Sequence, residues 1–297
     1  MTASIEHTGV FEAERQRLHA LAYRMLGSTV DAQDVVQETW LRWERLGQVG
    51  RAAIESPAAW LTTAAARLAL DTLKSAQRQR ERYVGPWLPE PVLTDDDGPL
   101  ASVELAESLT IGFLVVLERL GPVERAVFLL ADVFGESYAE IAPIVERSEG
   151  ACRQIASRAR KRVRDERRRF EPAPSRRADL LHAFMAACAF GQIDDLRRIL
   201  SDDVVLVSDG GQEVHAARRP VIGFHRVSRL LASLTRRMPQ DAQVELHEVN
   251  GEPGLLFARR GRPWLVMAFE MHGDQIAAIR IVINPAKLSN LRPLAAS

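Results

Sequence analysis

Apolar residues recur at helical spacing from the N-terminus to about residue 80, and the breaks between runs carry helix-capping residues. Between Arg15 and Leu26, Leu18, Leu21, Ala22 and Met25 share one face, and Gly27-Ser28 supplies a C-cap and a restart. From Asp31 to Arg45, Ala32, Val35, Val36, Thr39, Trp40 and Trp43 form a buried stripe. That leaves Asp31, Asp34, Gln37, Glu38, Leu41 and Arg42 pointing elsewhere, an acidic face with one leucine that suits a protein partner and equally suits plain solvation. Residues 47–55 read as a loop, and Ser56-Pro57 as an N-cap followed by proline at the first helical position. The helix that follows, from Trp60 to about Arg80, offers Leu61, Ala65, Leu68 and Leu73 to a core. Thr63, Arg67, Asp71, Lys74 and Arg78 fall at steps of three and four as one polar stripe. Such a face, with Trp60 beside it, could follow a strand's backbone and stack on an unpaired base. On periodicity alone Trp60 reads as core.

Residues 83–99 are rich in proline and acid and cannot form a regular helix, yet Trp87, Leu88, Pro89, Glu90 and Pro91 form a cluster expected to dock on something. Helices are expected over Ser102–Leu120 and Pro122–Phe134. Ser137 with Glu140 three residues later is a capping box, followed by Ile141, Ala142, Ile144 and Val145 at core-facing positions. A short break at Glu146-Arg147 and a cap at Ser148 lead to a second helix, with Cys152, Ile155, Ala156, Ala159 and Val163 on one face. Its other face carries Arg153, Gln154, Ser157, Arg160, Lys161 and Arg164. The pair reads as a helix-turn-helix whose second helix could present Arg153 and Gln154 to base edges, with later arginines on phosphates. A solvated helical hairpin has the same periodicity, and Pro143 and Glu146 are unusual in such a turn. Beyond a boundary at Glu171–Pro174, helices are expected at Leu180–Phe190, Asp194–Leu200 and Pro220–Leu234. Strands are expected at Val204–Val207, Gln243–Val249, Gly254–Arg259, Trp264–Met271 and Gln275–Ile283. Helices before a four-stranded meander imply an α+β domain with helices on one side of a curved sheet.

Charge sharpens this picture more than bulk composition does. The 297 residues carry no net charge and are 46% hydrophobic, a folded chain with room for two or three domains. Residues 146–169 nevertheless hold ten Arg or Lys against four Asp or Glu, a local +6 that asks for an anionic partner. Cys152 and Cys188 lack metal or redox spacing and read as buried structural residues; no metal or cofactor is expected. The N-terminus has no signal-peptide pattern and the apolar runs are far shorter than the ~20 residues of a membrane span. A cytoplasmic monomer without membrane contact is therefore expected.

These motifs together resemble those of bacterial sigma factors of the extracytoplasmic-function class. Asp31–Arg42 (DAQDVVQETWLR) is similar to sigma region 2.2, Ser56–Ser75 to regions 2.3 and 2.4, and Leu120–Arg164 to region 4. Trp87–Pro91 (WLPEP) resembles the linker of the subgroup that carries a fused SnoaL-like domain. Asp209-Gly210-Gly211-Gln212 and Asn284–Leu288 (NPAKL) resemble two motifs of that domain, with Gln212 in place of a third glycine; in region 2.4, Lys74 stands in place of the usual arginine after the aspartate. The resemblance implies a multidomain chain, two all-α domains followed by an α+β SnoaL-like cone. Its divisions would be 1–85 for region 2, 86–101 for the linker, 102–170 for region 4 and 171–297 for the cone.

The resemblance further implies a sigma factor that binds core RNA polymerase and promoter DNA and initiates transcription, with the C-terminal domain regulating it in cis. Asp31, Asp34, Gln37, Glu38, Leu41 and Arg42 would meet core polymerase; Trp60, Arg67, Asp71, Lys74 and Arg78 would meet the minus-10 element. Arg147, Ser148, Arg153, Gln154, Ser157, Arg158 and Lys161 would meet the minus-35 duplex. The cis-regulatory contact would join Trp87, Leu88, Pro89, Glu90 and Pro91 to Asp209, Gly210, Gly211, Asn284, Pro285, Lys287 and Leu288. The rival is a helix-turn-helix regulator whose cone binds a small molecule or uses Asp209, His215, His225, His247 or His272 as acid and base. That rival leaves Asp31–Arg42 and Ser56–Arg78 without a purpose. No catalytic residue is assigned, and a small-molecule ligand in the cone stays open.

Overall fold

The computed structural model describes residues 2–80, 83–94, 109–167 and 177–293, side chains at 2–8, 78–79 and 165–167 excepted. The acidic run after Thr94, the helix start expected at Ser102, the end of the basic tail and the Glu171–Pro174 boundary lie outside the described residues. The chain divides into two compact units. One holds the N-terminal helices and the helix-turn-helix; the other holds the linker, most of the next short helix and everything after the basic tail.

In the first unit, α1 (Thr2–Leu26) ends at Gly27, whose φ of +65° suits glycine, and Ser28 restarts the chain. Its hydroxyl accepts the Asp31 N–H at the head of α2 (Thr29–Arg45). The expected stripe of α2 is buried except Trp40, which is half-buried with its ring 4.8 Å from that of Phe11. Where a loop was expected, Gly47–Ala52 forms a short helix, α3, that buries no side chain and so leaves no apolar periodicity to read. Next, α4 (Pro57–Arg80) buries Leu61, Ala65, Ala69, Leu70 and Leu73. Leu68 is only half-buried, because Ala69 and Leu70 take the central positions.

The expected helix over Ser102–Leu120 appears, within the described residues, as α5 (Ile111–Leu117). The one over Pro122–Phe134 is α6 (Pro122–Phe128) running into a π-turn at Leu129–Val133. Then α7 (Tyr138–Val145) and α8 (Glu149–Arg167) form the helix-turn-helix. The Ser137–Glu140 capping box opens α7, with the Glu140 carboxylate 2.8 Å from the Ser137 N–H. Pro143 sits on the exposed side of α7 and removes one intrahelical bond, whose Ala139 acceptor lies at an exposed residue. Glu146 makes the turn in the left-handed region, φ +57° and ψ +49°. Cys152, Ile155, Ala156, Ala159 and Val163 are all buried.

The second unit is built on a six-stranded sheet in the order β2-β1-β6-β5-β4-β3. Two helices, α9 (Arg177–Phe190) and α10 (Ile193–Ile199), precede β1 (Leu200–Asp209). Pro220–Leu234 is not one helix: Val221–Ile222 pairs with β1 as β2, and α11 (Phe224–Arg236) begins after Gly223, whose φ is +91°. Strands β3 (Ala242–Val249), β4 (Glu252–Arg259), β5 (Arg262–His272) and β6 (Gln275–Val282) form the expected antiparallel meander. β1, the strand expected around Val204–Val207, joins it parallel to β6, with Leu206 opposite Ile279, so the sheet is mixed and larger than the four-stranded meander. One face carries Leu255, Phe257, Phe269, Ile279 and Ile281 against Phe184, Leu196, Phe224 and Leu231 of the helices. The other face is apolar too, with Val207, Leu256, Val266 and Val282. It is covered by Leu88 and Leu93 of the linker, Ile111 of α5, and Leu288 of α12 (Pro285–Leu288). Two helical modules and an α+β cone are the architecture expected from the sequence.

Candidate nucleic-acid interface

Because Cys152, Ile155, Ala156, Ala159 and Val163 bury one side of α8, its remaining residues face outward, and they differ in how far they are already engaged. Arg160 donates to Asp132 at 2.7 Å and to the Tyr138 hydroxyl at 3.0 Å; Arg162 pairs with Glu124 at 2.7 Å. Arg153 lies 5.7 Å from the Tyr138 ring centre and 3.4 Å from Glu149. Arg147 donates to the Glu146 carbonyl, and Ser148 caps the Ala151 N–H. Gln154, Ser157, Arg158 and Lys161 are exposed and make no side-chain hydrogen bond or ion pair among the described residues. The wide π-turn puts Asp132 where it can hold Arg160, a brace that sequence periodicity did not reveal.

On α4, Trp60 is half-buried, its ring 5.4 Å from that of Trp43, so the core reading holds for much of its surface. Arg67 and Lys74 are exposed, and so is Asp71, which pairs with Lys74 at 3.2 Å. The side chain of Arg78 lies outside the described residues. Arg67 donates at 2.9 Å to the carbonyl of Pro143 in α7, so one candidate strand-binding residue is tied to the helix-turn-helix. Around it, Arg17 bridges the Thr62 hydroxyl and Glu136, each within 2.6 Å, and stacks with Arg24 on Phe134. Glu118 is gripped by Arg80 and, at 2.6 Å, by the buried Arg125, which also donates to the Met25 carbonyl. Burial alone would raise the Glu118 pKa, but the two guanidiniums outweigh it and hold the carboxylate below its usual range. Burial lowers Arg24 to about 10. Sequence patterns gave no sign of Arg125 or Arg24, since arginine is ordinarily a surface residue.

The candidate protein-binding face of α2 is open at Asp34, Gln37, Leu41 and Arg42, with Asp31 and Glu38 half-buried. Glu38 pairs with Arg42 at 3.0 Å and Arg45 at 3.6 Å.

In the second unit the two C-terminal motifs and the linker meet. Asp209 is buried at the end of β1; its Oδ2 accepts the Leu88 N–H at 2.8 Å and Lys287 Nζ at 2.8 Å. Its Oδ1 accepts the Tyr83 hydroxyl at 2.5 Å and the Gly211 N–H at 3.0 Å. Lys287 also donates to the Leu88 carbonyl and sits 3.9 Å from the Trp87 ring centre. Asn284 donates to the Tyr83 hydroxyl and caps α12 at the Ala286 N–H. Burial and the Asp209 carboxylate push the Tyr83 phenol upward. Gly210 is packed so that a Cβ would fall 2.3 Å from the Val214 carbonyl oxygen, and Gly211 has φ +63° against Asn284. Gln212, where a third glycine was expected, is exposed and needs no close approach. Leu88, Pro89, Glu90, Pro91 and Leu288 are buried, while Pro285 is exposed. Tyr83 was missed because a lone tyrosine in a linker carries no periodic signal.

The acid and base candidates do not converge. Asp209 is committed to the linker, His215, His225 and His272 are exposed, and His247 pairs with Glu245 at 3.2 Å. A cavity of about 130 Å³ opens between Val84–Pro86 and the Gly210–Arg218 loop. Ligand pockets usually enclose roughly 300 Å³ or more, so this cavity lends the expected small-molecule partner no support. Burial raises the thiol pKa of Cys188 to about 12 and, less far, that of Cys152. Among the described residues no helix is long and apolar enough to cross a membrane.

Residues 10–79 match the family Sigma-70 region 2, and residues 113–163 match Sigma-70, region 4. The ECF RNA polymerase sigma factor SigJ of Mycobacterium tuberculosis is 39% identical over 294 residues, covering 94% of this chain and 92% of SigJ. The probable ECF RNA polymerase sigma factor SigI of the same species is 32% identical over 289 residues, covering 96% of each chain. The crystal structure of M. tuberculosis SigJ superposes with a TM-score of 0.77 at 37% identity, covering 95% of this chain and 98% of that one. A helix-turn-helix with unpaired polar and basic residues, a second helical module before it, and similarity extending through the C-terminal sheet converge on one family: the chain belongs to the ECF RNA polymerase sigma factors.

Proposed function

We propose that this sigma factor is held on core RNA polymerase by Asp31, Asp34, Gln37, Glu38, Leu41 and Arg42. The minus-10 strand is met by Trp60, Arg67, Asp71, Lys74 and Arg78. The minus-35 duplex is met by Arg147, Ser148, Arg153, Gln154, Ser157, Arg158 and Lys161. The functional divisions are 1–85, 86–101, 102–170 and 171–297, and the last of these regulates the others in cis. Each DNA-binding module is weak alone; polymerase fixes their spacing and makes the second contact effectively intramolecular. Arg67 spends one guanidinium nitrogen on the Pro143 carbonyl, so promoter engagement and the bond to α7 compete for this side chain.

The observation that carries cis regulation is the Asp209 carboxylate, which accepts the Leu88 N–H from the segment joining the two modules. A domain that binds this segment controls how the modules can be placed. The test is run-off transcription with purified core enzyme, comparing the full chain with Trp87→Ala. Altered output with the C-terminal fold intact supports the reading; an unchanged promoter response removes it. Absence of copurification with core polymerase would remove the assignment of the α2 face.

A further inference from the structure

Both flanks of the linker end on one residue that no motif marks. Asn250 occupies the β3–β4 turn, fully buried, with φ +54°. Its N–H donates to the Val92 carbonyl at 2.8 Å and its Oδ1 accepts the Val92 N–H at 3.0 Å. Its Nδ2 donates at 3.0 Å to the carbonyl of Leu109, 17 residues farther along the chain. The outgoing flank continues along the edge of β3. Leu93 bridges to Val249, the Thr94 N–H donates to the Glu248 carbonyl at 2.8 Å, and the Thr94 hydroxyl accepts the Gly251 N–H at 2.9 Å.

The returning flank is fitted to the same face. Ile111 shares an apolar cluster with Leu88 and Val249, and a Cβ at Gly112 would lie 2.8 Å from the Glu270 carboxyl carbon. Asparagine suits this turn chemically: it tolerates the left-handed backbone and offers a donor and an acceptor on one short side chain. Aspartate would lack the donor for Leu109, and glycine both side-chain bonds.

We infer that Asn250 is a positioning residue that couples the two linker flanks into one cooperative attachment, so that whatever lifts Trp87–Thr94 from the sheet also lifts Leu109–Val115. The inference deepens the cis-regulatory reading above and rests on it for its functional meaning. Release is then all-or-none, and the whole stretch between the two DNA-binding modules becomes available at once rather than one flank at a time.

Hydrogen exchange on the full-length chain tests this. Trp87 stands in the outgoing flank, and Trp87→Ala should speed amide exchange at least tenfold in both 88–94 and 110–115, with β5 and β6 unchanged. Asn250→Gly, which keeps the left-handed backbone, should loosen both flanks. In that background Trp87→Ala should act on 88–94 alone. Asn250→Asp keeps the acceptor for Val92 and should loosen 110–115 more than 88–94, which provides a second variant if glycine unsettles the strands. Exchange confined to 88–94 in Trp87→Ala, or wild-type rates at 110–115 in both Asn250 variants, overturns the inference. If the flanks release together while transcription with core enzyme is unchanged, cis regulation fails and the coupling stands.

Discussion

Lys287 Nζ lies 2.8 Å from Asp209 Oδ2, and the two side chains are 8% and 0% exposed. A pair so far from water is held by full compensation: Tyr83, Leu88 and Gly211 donate to the carboxylate, while the Leu88 carbonyl and the Trp87 ring take the ammonium. Removing one partner leaves an unpaired buried charge, which is costlier than removing both. Asp209→Asn should therefore destabilise the C-terminal unit by about 3 kcal/mol. Adding Lys287→Met should recover part of the loss, as a calorimetric double-mutant cycle will measure.

Glu252 gives the same unit a pH dependence of definite sign. Burial raises its pKa to about 7; Arg177, 3.3 Å away, offsets part of that and Glu270 adds to it. The unfolded chain ionises this group near 4.5, so its contribution is complete below about 4.5 and is lost as pH rises to about 7. Glu252→Gln should flatten the stability profile in that window and raise stability at pH 8 by about 2 kcal/mol. Glu118, depressed by Arg125 and Arg80, acts oppositely in the helical unit. Its contribution is present above about 4.5 and lost as pH falls through the folded value. Calorimetry from pH 8 to pH 3 should show Glu118→Gln lowering the helical transition at neutral pH, with the difference from the unaltered chain closing as pH falls below about 4.5.

The turn of the helix-turn-helix can be improved. Glu146 holds φ +57° without a glycine's freedom, and its side chain is exposed. Glu146→Gly should stabilise the helical unit by about 1 kcal/mol. A fall in its thermal midpoint would show that this backbone is relaxed by contacts glycine cannot supply.

Elements with a local chemical signature were legible. Gly27-Ser28, Ser56-Pro57 and the Ser137–Glu140 box each fix a helix end within one turn, and the alternation at Ile279 and Ile281 identifies a strand and its buried face. What escaped depends on long-range placement. The helix α3 buries nothing, β2 is two residues pairing across the sheet edge, and the parallel β1–β6 ladder joins segments some seventy residues apart. Among site residues, Asp209 and Lys287 stand out by motif, whereas Tyr83 and Asn250 act through bonds to distant chain. Asn250-Gly251 does read as a two-residue hairpin turn, but nothing local says that its amide holds a linker.

On α8 the arginines divide by what already occupies them, which makes promoter binding separable from helix positioning. Arg158 and Lys161 are exposed and free of side-chain partners among the described residues, so their charge is available to phosphate. Arg160 is spent on Asp132 and Tyr138, which raises its pKa and fixes the axis of α8 against the preceding turn. Deleting one phosphate-binding charge should shift the slope of log affinity against log salt by about 0.9. With reconstituted holoenzyme on a library of randomised promoter sites, Arg158→Ala and Lys161→Ala should each weaken binding across all sequences and flatten that slope by about one unit. Arg160→Ala should leave the slope unchanged but broaden the minus-35 sequences selected, because the helix loses its brace. A flatter salt slope for Arg160→Ala would instead place its guanidinium on the DNA and detach it from Asp132 in the bound state.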